Sequence, residues 1–125
     1  MKWLDDVQGQ FAGRPFLTER ELMAELDLPL SVHAADLRQA LCVFSEEYRI
    51  PIGALRRDDP LEWFTTPPTT RNPVAWLLNR AAFEDRLSEL RYHLRMTGRR
   101  HGSTSQGAVP KTIREYALAC LGLSP

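Results

Sequence analysis

The sequence predicts an all-α protein, a small helical bundle, and three observations carry that prediction. Three segments repeat apolar residues at the 3.6-residue period of a helix. Two helix starts are written out, one by the Thr-x-x-Glu box at Thr18 and one by Asn72-Pro73. No stretch of any length alternates apolar and polar residues as a half-buried strand does.

The N-terminal segment, Met1 to Phe11, is weakly helical, with Trp3, Leu4, Val7 and Phe11 able to line one face before Gly13 and Pro15 end it. Thr18 and Glu21 then form a capping box, in which hydroxyl and carboxylate each satisfy a free backbone N–H. A short helix follows from Glu19 to about Leu26, facing Leu22, Met23 and Leu26 inward. Leu28-Pro29-Leu30 turns the chain into a central helix. There Leu37, Ala40, Leu41, Phe44 and Tyr48 fall at i, i+3, i+4, i+7 and i+11, while Asp36, Arg38, Gln39, Glu46 and Glu47 take the other side. Ser31 stands where an N-cap is expected. Pro51 ends the helix, because the residue before a proline is pushed out of the α region. Ile52 to Leu55, with Gly53, suits a loop packed into the core, and Leu61, Trp63 and Phe64 close the unit by burying two rings.

Residues 65–72, TTPPTTRN, read as a loop. Asn72 caps and Pro73 opens a long helix over about 73–97, roughly 36 Å at 1.5 Å per residue. Leu77, Phe83, Leu87, Leu90 and Leu94 form its stripe, widened by Trp76, Leu78 and Ala81. Asp85–Glu89 and Arg91–Arg95 are like-charged at i, i+4, so packing rather than surface pairing should hold it. Residues 98–107, polar and Gly-rich, are expected to be a mobile loop. The last helix runs from Lys111 to Leu121, with Ile113, Tyr116, Ala117 and Leu121 inward and Gly122 as its stop.

At 125 residues, 43% hydrophobic and 26% charged, the chain reads as one helical domain over 1–125 with enough apolar surface for one core. No run approaches the roughly 20 apolar residues of a membrane span. MKWLDDVQGQ lacks the apolar stretch of a signal peptide, so the expected location is cytoplasmic. Cys42 and Cys120 sit within helices without a Cys or His at metal-ligand spacing, and read as buried free thiols. Net charge is zero but divided: residues 1–62 hold 7 Lys/Arg against 12 Asp/Glu, a net −5, and residues 63–125 hold 9 against 4, a net +5.

Chemistry-bearing residues are scattered. His33 lies three residues from Asp36 at a helix start, which reads as capping decoration. Asp58-Asp59 follows Arg56-Arg57 and reads as a solvated turn, not the buried pair that acid–base work needs. There is no phosphate-cradling loop, nucleophile elbow or zinc spacing, so the chain reads as not an enzyme, with no cofactor and no metal. Leu17 to Leu41 has the outline of a helix-turn-helix, turning at Pro29. Its second helix would present Ser31, His33, Ala35, Asp36 and Arg38 to a major groove, an arrangement poor in cations for a phosphate backbone.

LMAELDLPLSVHAADLRQALCVFSEEYRIPI resembles the acyl carrier protein pattern, in which a leucine-rich approach leads to the second helix and an acidic-acidic-aromatic ending, here Glu46-Glu47-Tyr48. PKTIREYA from Pro110 is similar to the start of that family's last helix. More closely, the chain resembles small uncharacterised enterobacterial proteins regarded as acyl-carrier-like, with Asp36 and Trp63-Phe64 matching their helix-head acid and closing aromatic pair. The resemblance covers about 17–64 and 109–122 and implies an acyl-carrier-like core with an additional long helix inserted over about 73–97. It departs at one decisive place. Ala34 stands where the phosphopantetheine serine would be, and Ser31 is three residues early, so no arm is expected. The implied function is a non-catalytic protein–protein interaction module, one form being an inhibitor or immunity-type partner of another protein. Its expected partner-binding residues are the acids Asp36, Glu46 and Glu47 and the basic cluster Arg95, Arg99 and Arg100. The alternative is a helix-turn-helix DNA-binding regulator.

Overall fold

The apolar period of the central helix decides the arrangement. In a computed structural model, which describes residues 2–65, 71–100 and 110–123, that helix runs Ala34–Tyr48 and is called α3. All five residues of its predicted stripe are fully buried, and Val43 joins them. Around it lie α1 (Lys2–Gly9), α2 (Glu19–Glu25), the short α4 (Glu62–Thr65), α5 (Pro73–Arg100) and α6 (Ile113–Cys120). The protein is all-α. Among the described residues the β-like pairing is an isolated bridge between Pro60 and Thr112.

The core is aromatic at its centre. The Phe44 ring lies 4.9 Å from Phe64 and 5.1 Å from Tyr116, and Tyr48 meets Phe64 edge-on at 4.8 Å. Phe11, just after α1, reaches Phe64 and Trp63 at 5.6 and 5.5 Å. One knot of rings therefore joins α3, α4, α6 and the N-terminal segment, with edge-to-face geometry adding to area burial. Leu22, Leu26, Leu37, Leu41, Leu55 and Ile113 fill the space around it. The expected inward placements of Trp3, Leu4 and Phe83 fall on side chains outside the described set.

Caps follow the sequence closely at two helices. Thr18 and Glu21 close both bonds of the capping box, at 3.2 and 3.0 Å. Asn72 Oδ1 accepts from the N–H groups of Val74 and Ala75. A second box, Thr112 with Glu115, starts α6 and was equally legible as Thr-x-x-Glu, although the apolar pattern alone placed that start at Lys111. Ser31 is not a cap. The helix begins three residues later with His33 at the N-cap and no side-chain bond, because Leu30 and Ser31 form a turn first.

Asp59 departs from its expected solvated turn. It is 4% exposed, and its Oδ2 accepts from Arg14 Nη1 at 2.7 Å and from the Arg56 amide at 2.8 Å. Arg56 in turn donates to the carbonyls of Gly53 and Pro15. This staple ties residues 14–17 to 53–59, and Leu17 N–H donates to the Gly53 carbonyl beside it. Asp58, as expected, faces water.

The long helix also differs. It continues through Gly98 to Arg100 instead of giving way to a loop at 98, while 101–107 lie outside the described residues. A single glycine costs a helix only about 1 kcal/mol, and cations at 95 and 99 suit its C-terminal dipole. Of its predicted stripe, Leu90 is buried and Leu87 and Leu94 are half-buried, but Leu77, Trp76 and Leu78 face water. At 28 residues α5 is about 42 Å long and α3, at 15, about 22 Å, so α5 outruns the body it packs on. Both cysteines are free, Cys120 buried and Cys42 half-buried.

Two substitutions check this framework by urea unfolding. A Cβ on Gly53 would lie 2.6 Å from the Leu17 carbonyl oxygen, so Gly53→Ala should destabilise by about 1–3 kcal/mol, the range for overpacking. Asp59→Ala strands the Arg56 amide and frees Arg14, and should cost about 2 kcal/mol. A midpoint unchanged in either variant would remove the corresponding tie from the account.

Candidate functional site

A recess of about 580 Å³ opens between α3 and α5. It is lined by Cys42, Glu46 and Glu47 from α3 and by Glu89, Tyr92 and Met96 from α5, with His93 and Thr97 below. The amphipathic period of α3 forces this: burying Leu37, Leu41, Phe44 and Tyr48 turns Cys42 and Glu46 toward the rim. On α5, packing Leu90 and Leu94 inward does the same for Glu89, Tyr92 and Met96, which sit at i, i+3 and i+7.

The rim is electrically frustrated. Interaction with the Glu89 carboxyl, helped by partial burial, holds the Glu47 carboxyl above its ordinary value. Arg86 opposes the shift, with Nη1 at 3.7 Å from Glu47 Oε2 and 2.6 Å from the Glu47 carbonyl oxygen. Glu46 adds a further, exposed negative charge. Tyr92 and Met96 remain 63% and 40% exposed beside these acids. The site is thus an acidic groove with apolar contact area along one edge.

Its floor has the residue types of a thiol nucleophile but not their geometry. Cys42 Sγ lies 3.4 Å from His93 Nε2. That same nitrogen is 2.9 Å from the Gln39 carbonyl oxygen, and Nδ1 is 2.9 Å from the Tyr116 hydroxyl. A neutral ring placed so donates from Nε2 to Gln39 and accepts at Nδ1, a tautomer inferred from the partners. No lone pair is then left for the thiol. Burial, and next the Glu46 charge, push the Cys42 thiol up, so it stays protonated near neutral pH. Cys120, behind Tyr116, is pushed up to about 12 by burial. The cluster Cys42–His93–Tyr116 is a polar knot joining α3, α5 and α6.

Of the residues singled out from the sequence, Glu46 and Glu47 come together in this groove. Asp36 does not join them: it lies on the first turn of α3, about 16 Å away along the axis. Arg95 and Arg99 are exposed on the outer side of α5, one turn apart. The Arg100 side chain falls outside the described set. Ala34 occupies the first position of α3 and offers no hydroxyl. Arg38, the cation a helix-turn-helix would rely on, is ion-paired with Glu19 of α2. No group of three or more metal-ligating side chains gathers among the described residues, and none of their helices is long and apolar enough to cross a membrane. Sequence reasoning missed Glu89, Tyr92, Met96 and His93, because their role depends on which faces of α3 and α5 meet. A second recess, about 520 Å³, lies over Leu87, Leu90, Leu94 and Tyr116 beside α4. Glu62, Arg91 and Lys111 on its walls give it mixed charge.

Burial lowers the His93 pKa, against weaker opposing effects from the Gln39 carbonyl and Glu46. The unfolded chain therefore takes up the proton first as pH falls. Stability owed to neutral His93 is complete above the ordinary histidine pKa of about 6.5 and is lost below it. Glu47, with its raised pKa, acts in the opposite sense over acid pH. The readout is accordingly a difference: between pH 7 and pH 5 the urea midpoint should fall further for the wild type than for His93→Gln. Parallel pH profiles for the two proteins would contradict the assignment.

No protein family, curated protein or solved structure matches this chain.

Proposed function

We propose that the chain is a non-catalytic protein–protein interaction module whose docking face is the acidic groove between α3 and α5. The observation that carries this is the gathering of Glu46, Glu47 and Glu89 on one recess, with Tyr92 and Met96 uncovered along its edge. Glu46, Glu47 and Glu89 crowd one rim against Arg86, so a further cation is favoured there. A partner segment bearing Lys or Arg, with one or two apolar anchors for Tyr92 and Met96, would satisfy both needs. A basic amphipathic helix laid into the groove is the simplest such segment. The raised thiol of Cys42 and the engagement of His93 Nε2 by the Gln39 carbonyl support a binding role over a chemical one. An inhibitor or immunity-type partner of another protein is one form of such a module, and a cytoplasmic setting goes with the reading. Acyl-carrier-like docking without the arm is consistent with Ala34 at the head of α3.

The test is affinity capture by the wild type and by Glu46→Lys/Glu47→Lys, followed by titration calorimetry with the purified captured protein. Both substituted residues are at the rim, so the fold should survive, as circular dichroism would report. The expected result is a basic partner bound by the wild type, bound at least about tenfold more weakly by the variant, and released by salt. Equal affinity for both proteins would exclude the groove as the docking face.

A further inference from the structure

The first half of α5 is exposed on nearly every described side chain. Among the described side chains from Pro73 to Asp85, only Ala75 is even half-buried. Val74, Leu77 and Leu78 are 65%, 60% and 67% exposed. Val74, Leu78 and Ala81 recur at i, i+4 and i+7, which makes one ridge, and Leu77 flanks it. A contiguous apolar ridge of this kind marks an interaction surface.

We infer that this half of α5 pairs antiparallel with the same half of a second copy of the chain. The order of charges selects that occupant. Arg71 lies seven residues before Leu78 and Asp85 seven after it, and both are exposed. Arg71 stands two residues before α5 begins, so an antiparallel copy centred on Leu78 brings the chain entering each helix to the other copy's Asp85, and one two-fold axis makes two ion pairs at once. It also brings each acid near the positive end of the facing helix. A parallel copy would oppose like charges instead. Within a single chain Pro73, the first residue of α5, is already about 18 Å along the axis from Asp85, so Arg71 before it cannot pair with that acid. The other nearby cation, Arg80, is engaged along the flank, 5.3 Å over the Trp76 ring and 3.3 Å from Glu84. The ridge itself is left apolar. A standard interface buries about 800 Å² per partner, more than two to three turns of one helix offer, so the pair is weak and concentration-dependent. This surface is separate from the acidic groove, and stands or falls without it.

Sedimentation equilibrium of the full chain, from micromolar to millimolar concentration, reads the proposal. Wild type should pass from monomer to dimer mass. Leu78→Glu alters an exposed side chain, so its melting curve should stay in place while the dissociation constant rises at least about tenfold. Arg71→Glu and Asp85→Arg should each weaken the dimer severalfold, and the double swap R71E/D85R should restore it. A monomer at every concentration, a dimer indifferent to Leu78→Glu, or a double swap no tighter than the singles overturns the proposal.

Discussion

The structure depends on how Tyr116 is held. Its ring lies edge-on to Phe44 at 5.1 Å and parallel to His93, and its hydroxyl donates to the Leu90 carbonyl at 3.0 Å or to His93 Nδ1 at 2.9 Å. That one side chain ties α6 to α3 through apolar contact and to α5 through hydrogen bonds. A buried hydroxyl without such partners would cost more than the bonds themselves contribute. The position of α5 follows. It is pinned near Leu90 and His93, and everything it presents elsewhere is set by where that pin falls along its length.

Two surfaces result. Near the pin, α5 lies close to α3, and the side chains that flank the contact form the acidic groove. Away from it, α5 runs beyond the core and leaves an apolar ridge in water. The Cys42–His93 contact illustrates why proximity is not sufficient. The nitrogen that faces the thiol, Nε2, donates to the Gln39 carbonyl and keeps no lone pair there to take a proton from it. The same bonds make the knot a good joint between the three helices.

Much of this was legible in the sequence, and the reasons divide by locality. The stripe of α3, the box at Thr18 and the cap at Asn72 depend on residues a few positions apart, and they were read correctly. Ser31 was misread because several residues near a proline can serve as a cap, and the turn decides among them. Asp59 was misread because its partner Arg14 is 45 positions away. In the groove, Glu46 and Glu47 were visible as acids on the outer side of α3, but Glu89, Tyr92 and Met96 were not, since the crossing of two helices brings them there. The period of α5 was correct, yet periodicity cannot report that a helix outlasts the body beneath it. Periodicity therefore assigns Leu77 and Leu78 of its first half to the core, whereas they face water.

The account rests on α5 being two things, a core helix near Tyr116 and a free one before it. Hydrogen exchange along α5 in dilute solution measures this residue by residue. Amides from Leu90 to Thr97 should exchange about as slowly as those of α3, and those from Leu77 to Ala81 faster by orders of magnitude. Uniform protection along the whole helix, or slower exchange in its first half, would contradict the division on which both proposed surfaces stand.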